Sequence, residues 1–230
     1  MEALKFLSQF KTLMNSDLHS DLTIKVENST FKAHKAILAI RTKFFTMATK
    51  EHGFAESKDN IVTIEDHSAH AVWRFLTYCY TGNYEESQNK DIDGEDDGVF
   101  LKHTRVYALA DMLDVPQLKL LAAGKLKVRL ALWRPKDFIK CVQETYATTY
   151  KNDLEIRNIL VDAAYDNRAG LVKLEIFRQE LEKMGEFSAA LVFKITNEES
   201  KVQDPKASKA VAPLPQCWSG ASISLELGWD

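Results

Sequence analysis

The side chains able to do chemistry are few and scattered. Six histidines, three cysteines and one dense run of acids hold most of the metal-binding and nucleophilic capacity of the 230 residues. His67 and His70 stand three apart, so a helix would put both on one face. No cysteine or further histidine lies near enough in sequence to complete a zinc set, and no HExxH occurs. Surface polar residues at a helix start are expected instead. Cys141 falls on the apolar stripe of a helix, where a buried, inert thiol is expected rather than a nucleophile. Cys79, Cys141 and Cys217 are odd in number and widely spaced, without a CxxC pair. That argues against a disulfide framework and for a reducing compartment, cytoplasmic or nuclear. Nucleophile elbows, P-loops and dinucleotide-binding glycine patterns are absent from the sequence. The expectation is a chain that is not an enzyme, with no catalytic residue, no cofactor and no metal.

Residues 85–98 carry seven acids and one lysine, net −6, in a chain whose total is −3. From Asp93, the register Asp93-x-Glu95-x-Asp97-Gly98 imitates the opening of a calcium loop, but position twelve is Thr104, where a bidentate glutamate is required. With Ile92 its only large apolar residue, the stretch is expected to be a solvated, mobile acidic loop. Lys119, Lys125, Lys127 and Arg129 form a modest basic cluster that alternates with leucines, which predicts the wet face of a helix rather than a nucleic-acid site. The small negative net charge and the lack of any apolar run near ~18 residues exclude broad adhesion to nucleic acid and a membrane-spanning helix.

The elements that position these residues follow from periodicity. Phe6, Leu7, Phe10, Leu13 and Met14 make one apolar stripe of an N-terminal helix. Leu22, Ile24 and Val26 alternate with polar residues, Phe31 and Ala33 mark a second strand, and Ile61–Ile64 a third. Between them, residues 35–50 suit two short buried helices. Ser68 caps a helix through Val72, Phe75, Leu76 and Cys79 that ends at Gly82. Further helices are expected through Leu101–Met112, Leu118–Leu126, Phe138–Thr145, Ile156–Ala163, Phe177–Met184 and Phe187–Leu191, with Pro116 and Pro135 as breaks. Three of the five prolines fall after Thr196, in a stretch without helical or strand period, so residues 196–230 are expected to be disordered. Within them, Trp218 and Trp229 are candidate anchors, and Leu225–Trp229 a candidate docking strand. The fold class is α+β, with an all-helical C-terminal part.

Several of these segments together resemble the BTB/POZ domain. They are Ser20-Asp21-Leu22-Thr23-Ile24, Phe31-Lys32-Ala33-His34-Lys35-Ala36-Ile37-Leu38, Phe44-Phe45, Phe54-Ala55-Glu56-Ser57, Tyr78-x-Tyr80-Thr81-Gly82-x-Tyr84 and Ala108-x-Ala110-Asp111-Met112-Leu113-Asp114-Val115-Pro116-x-Leu118. The likeness covers residues 10–123. The acidic insertion and the run from Leu154 to Phe187 are similar to BTB proteins of filamentous fungi. The resemblance implies a BTB/POZ fold, a small β-sheet covered by helical hairpins, over residues 1–123 with the insertion at 85–98. A helical extension then spans 124–195 and a tail 196–230.

The resemblance also implies roles. The domain is a protein-interaction module expected to form a homodimer, with Phe6, Leu7, Phe10, Leu13 and Met14 as the candidate dimer interface. Because position 1 lies at the start of this helix, a helix-packed dimer without strand exchange is expected. Asp21 and Lys35 match the family's buried charge pair near the dimer axis, with lysine where arginine is common, and His34 matches its buried structural histidine. Cullin-binding members carry an apolar-x-Glu motif before the third strand. Phe54 and Glu56 match it, so a cullin scaffold of ubiquitin ligases is a candidate partner and an unnamed substrate protein another. The alternative is a transcription or chromatin regulator that uses the domain only to oligomerise.

Overall fold

The computed structural model describes residues 9–48 and 60–203. Phe6, Leu7, Phe54, Glu56, Trp218 and Trp229 lie outside them.

The three strands form where alternation predicts. β1 (Leu22–Val26) and β2 (Ser29–Ala33) make an antiparallel hairpin in the register Leu22↔Ala33 to Val26↔Ser29. β3 (Ile61–Thr63) pairs parallel with β1, so the order is β2-β1-β3. Leu22, Ile24 and Val26 point inward as a period of two requires. The path from β2 to β3 carries the two short helices α1 (Lys35–Arg41) and α2 (Lys43–Ala48).

Helix α3 (Ala69–Thr81) is the centre of the fold. Its Ser68 cap accepts from the Ala71 amide at 3.1 Å, and Glu27 accepts from the Ala69 amide at 3.0 Å. At its C-terminus Gly82 takes φ 78° and its N–H returns to the Tyr78 carbonyl. α4 (Leu101–Met112) and α5 (Pro116–Leu130) form a hairpin broken at Val115-Pro116, with proline at the first helical position.

The remaining helices are α6 (Pro135–Thr148), α7 (Leu154–Asp166), the single turn α8 (Arg168–Leu171), α9 (Glu175–Lys183) and α10 (Gly185–Gln203). They are not a separate body. One hydrophobic core runs without interruption from Leu22 through Leu130, Phe138 and Leu160 to Leu191. Polar bonds reinforce the junction: Tyr107 of α4 donates to Asp153 at 2.6 Å, and Lys119 of α5 donates to the same carboxylate at 2.8 Å. The aromatic set Trp133, Phe138, Tyr146 and Phe187 fills the space between α6 and α10. Position 123 falls inside α5, so no chain break separates the two parts there.

Three expectations are corrected. The N-terminal stripe is helical at Gln9 and Phe10 and then tightens into a 3-10 turn at Lys11–Leu13. Leu13 and Met14 lean on the chain's own core. The last helix does not stop before Thr196 but continues to Gln203. Glu198 pairs there with Lys201 at 2.9 Å and Lys194 at 3.4 Å, spacings that support a helix without any apolar period.

The third correction concerns the acidic insertion, which is pinned rather than mobile. Arg74, fully inside α3, holds Asp96 at 2.6 and 2.7 Å and Asp97 at 3.2 Å. Lys102 joins Asp96 at 2.9 Å, and Arg105 joins Asp97 at 2.5 Å while gripping Glu144 of α6. Ile92 is buried, and Arg129 binds Glu86. Glu86, Asp96 and Asp97 of the insertion are held by cations on α3, α4 and α5, which composition alone does not reveal.

Candidate partner-binding surface

The residues singled out for catalysis or metal binding are occupied structurally. Cys141 is wholly buried beside Thr104, and burial pushes its thiol up to about 12. His70 is buried in the first turn of α3 rather than on the surface, and burial lowers the half-buried His67. Among the described residues no group of three or more histidines, cysteines and acids could hold a metal ion. Asp97 of the calcium-like register is taken by Arg74 and Arg105, and Thr104 sits inside α4. The basic cluster is mostly spent as well. Lys119 pairs with Asp111 and Asp153, Lys125 donates to the Tyr84 carbonyl at 3.0 Å, and Arg129 binds Glu86.

His34 is satisfied on both ring nitrogens. Nε2 lies 2.9 Å from the Leu18 carbonyl and so carries the hydrogen. Nδ1 then accepts from the Tyr80 hydroxyl at 2.7 Å, and that hydroxyl accepts from the His34 amide. Asp21 and Lys35 meet differently from the expected buried ion pair. Asp21 is exposed and accepts from the Lys35 backbone N–H at 2.8 Å, while the Lys35 ammonium donates to Asn60. Within one chain the carboxylate serves the first turn of α1, where an acid complements the helix dipole.

His103 is the buried histidine whose ionisation the surroundings shift most. It is 0% exposed, with Nδ1 2.8 Å from the Tyr84 hydroxyl and Nε2 3.6 Å from Glu86. Burial pushes it down to about 4 against the pull of Glu86, helped by the charges of Lys125, Arg74 and Lys102. A group lowered from 6.5 stays neutral when folded but binds a proton when unfolded. Its stabilisation is therefore complete above pH 6.5 and is lost as pH falls toward 4. Urea unfolding is expected to lose about 3 kcal/mol across that interval. His103→Gln should remove most of the slope; an unchanged slope would show that other groups set it.

Among the described residues, several large apolar side chains stay exposed on the helices that meet at the joint of α1, α2 and the α4–α5 turn. Thr42, buried between α1 and α2, donates to the Leu113 carbonyl and accepts from the Phe44 amide at 3.0 Å. That joint fixes the start of α2 against the turn between α4 and α5. Phe45 turns inward and stacks on Phe75 at 6.0 Å, whereas Phe44 and Met47 face outward. Met112 at the end of α4 and Leu120 on α5 are also exposed. Leu120 falls off the apolar period of Leu118, Leu121 and Ala122 and is legible as a surface residue; Met112 shares the spacing of Ala108 and Leu109, so the sequence does not mark it as exposed. The chain leaves α2 and enters residues 49–59, which contain Phe54-Ala55-Glu56.

The fold is thus a small mixed sheet roofed by helical hairpins, with Phe44, Met47, Met112 and Leu120 exposed on its helices. The BTB/POZ domain model matches residues 10–130, more than half of the chain and through the end of α5. The chain belongs to the BTB/POZ domain family. It is 27% identical over 120 residues to Kelch-like protein 40b of Danio rerio, covering 52% of this chain and 17% of that protein. It is 33% identical over 81 residues to the human Kelch repeat and BTB domain-containing protein 2, covering 35% of this chain and 13% of that protein. The chain thus spans less than a fifth of the length of these relatives. Among solved structures it is similar to the BTB domain of zebrafish PATZ1, with 16% identity, a TM-score of 0.41, and coverage of 55% of this chain and 92% of that one. No helix among the described residues is long and apolar enough to cross a membrane.

Proposed function

We propose that this chain is an adaptor-type interaction module that self-associates and docks a cullin scaffold, presenting an as yet unnamed substrate protein to a ubiquitin ligase. The observation that supports the reading is the exposure of Phe44, Met47, Met112 and Leu120, with the chain passing from α2 into the segment holding Phe54 and Glu56. Phe54 would fill an apolar pocket of the scaffold, and Glu56 would set orientation from the rim. Burying one phenylalanine contributes about 1.5–3 kcal/mol, enough for a hot spot within a larger contact. Phe54→Ala is expected to keep the melting temperature and weaken binding to a cullin N-terminal domain at least tenfold, read by titration calorimetry. A variant that melts much lower makes Phe54 a core residue. No binding by the unmutated chain reduces the function to self-association.

Self-association is assigned to the part of the N-terminal stripe formed by Phe6, Leu7 and Phe10, since Leu13 and Met14 already serve the chain's own core. Asp21 and Lys35 would lie beside the dimer axis, where a partner copy would bury them. Phe10→Glu is expected to turn a dimer into a monomer at tens of micromolar, because a buried unpaired charge costs several kcal/mol. Light scattering that finds the unmutated chain monomeric at that concentration removes this assignment.

A further inference from the structure

The long last helix carries an uncharged stripe that nothing among the described residues covers. Gly185, Ala189, Val192, Phe193, Thr196 and Ser200 fall on one side of α10 at the spacing of a helical face, away from the buried Phe187 and Leu191. Val192 is 61% exposed and Phe193 70%. Two adjacent large apolar side chains beside Gly185 and Ala189 make a knob next to a hollow, the relief that a packed segment requires.

We propose that this face is covered by the chain's own segment Pro205–Trp218, laid antiparallel along α10. The helix ends at Gln203, and Asp204-Pro205 follows; a residue before proline is driven out of the helical region, so the chain is set to turn there. Phe193 lies ten residues back from Gln203, or about 15 Å at ~1.5 Å per residue. A proline-rich extended chain advances ~3.1 Å per residue, so it needs about five residues to cover that distance; with about three more spent on the reversal, Val211 arrives level with Phe193, and Trp218 has slack to reach Ala189 and Gly185. The small residues of the stripe leave room for the indole. Residues 205–222 contain Lys206 and Lys209 and no acid, and Glu199, about one turn before the end of α10, is exposed. Being tethered, the segment acts at a high effective concentration that a separate partner would have to exceed.

Hydrogen exchange on the full chain tests the assignment. Amides between Ala207 and Trp218, prolines excepted, are expected to exchange about tenfold or more slowly than in a free peptide of the same sequence, at every protein concentration. Phe193→Asp from one side and Trp218→Ala from the other should each abolish that protection while leaving the exchange of α3 and α4 unchanged. Exchange at the free-peptide rate overturns the proposal. Protection that rises with protein concentration also overturns it and makes a second copy the occupant.

Discussion

A chain ending at Ala123 is expected to precipitate or to unfold without a cooperative transition. The cut removes the last two turns of α5 and all of α6 to α10, including the buried Leu126, Leu130, Phe138, Ile139, Val142, Leu160 and Phe187. Each large side chain of this kind contributes about 1.5–3 kcal/mol by burial. Several together exceed the ~5–15 kcal/mol that holds a typical domain folded. The cut also strips the partners of groups that stay behind: Thr104 loses Cys141, Arg105 loses Glu144, and Tyr107 and Lys119 lose Asp153. Circular dichroism on heating and size exclusion give the readout. A soluble truncation that melts at the temperature of the full chain would sink the claim that the two parts share one core.

Arg74→Leu is expected to cost about 3–5 kcal/mol in urea unfolding, the usual penalty for removing one partner of a buried ion pair. The guanidinium is 2% exposed and serves two carboxylates at once. Without it, Asp96 retains Lys102, while the equally buried Asp97 keeps Arg105 and the Ser68 hydroxyl at 3.0 Å. Burial would raise the Asp96 carboxyl, but the hydrogen bonds and charges of Arg74 and Lys102 hold it below the usual carboxylate range. The variant's insertion should therefore open to protease at neutral pH. Arg74→Lys should recover only part of the loss, because an ammonium cannot grip two carboxylates as a planar fork does. A loss below about 1 kcal/mol would place the pair among weakly contributing surface bridges.

The sequence made the framework legible because its signals are local. Alternation at Leu22–Val26, the Ser68 cap, the Gly82 stop and the Pro116 and Pro135 breaks each act within a few residues, and the elements fall where they place them. The acidic insertion was misread for the converse reason. Its composition suggests a solvated loop, yet its partners Arg74, Lys102, Arg105 and Arg129 lie on three helices and meet it only after folding. Arg74 is the lone Lys or Arg of the Ala69–Thr81 helix, on the face away from the Val72–Cys79 stripe, in a chain with an unbalanced run of acids. The end of the last helix was misplaced because Thr196–Gln203 is held by side-chain pairs rather than by an apolar period. The exposed apolar side chains were half legible: Leu120 falls off the apolar period of its helix, whereas Phe44, Met47 and Met112 sit at apolar spacings and become surface only through tertiary packing, as where Phe45 takes the inward place beside Phe75.

Arg105 has one face on the insertion, through Asp97, and the other on α6, through Glu144. A segment inside the family's matched residues and a helix beyond them are thereby bound to the same side chain. For the evolution of such proteins this makes the domain a poor cassette. A recombination event that joined residues 1–123 to a foreign C-terminal half would inherit the insertion with a guanidinium matched on one side only. Lineages carrying this insertion should thus be found with this helical half, and loss of one should be followed by replacement at Arg105.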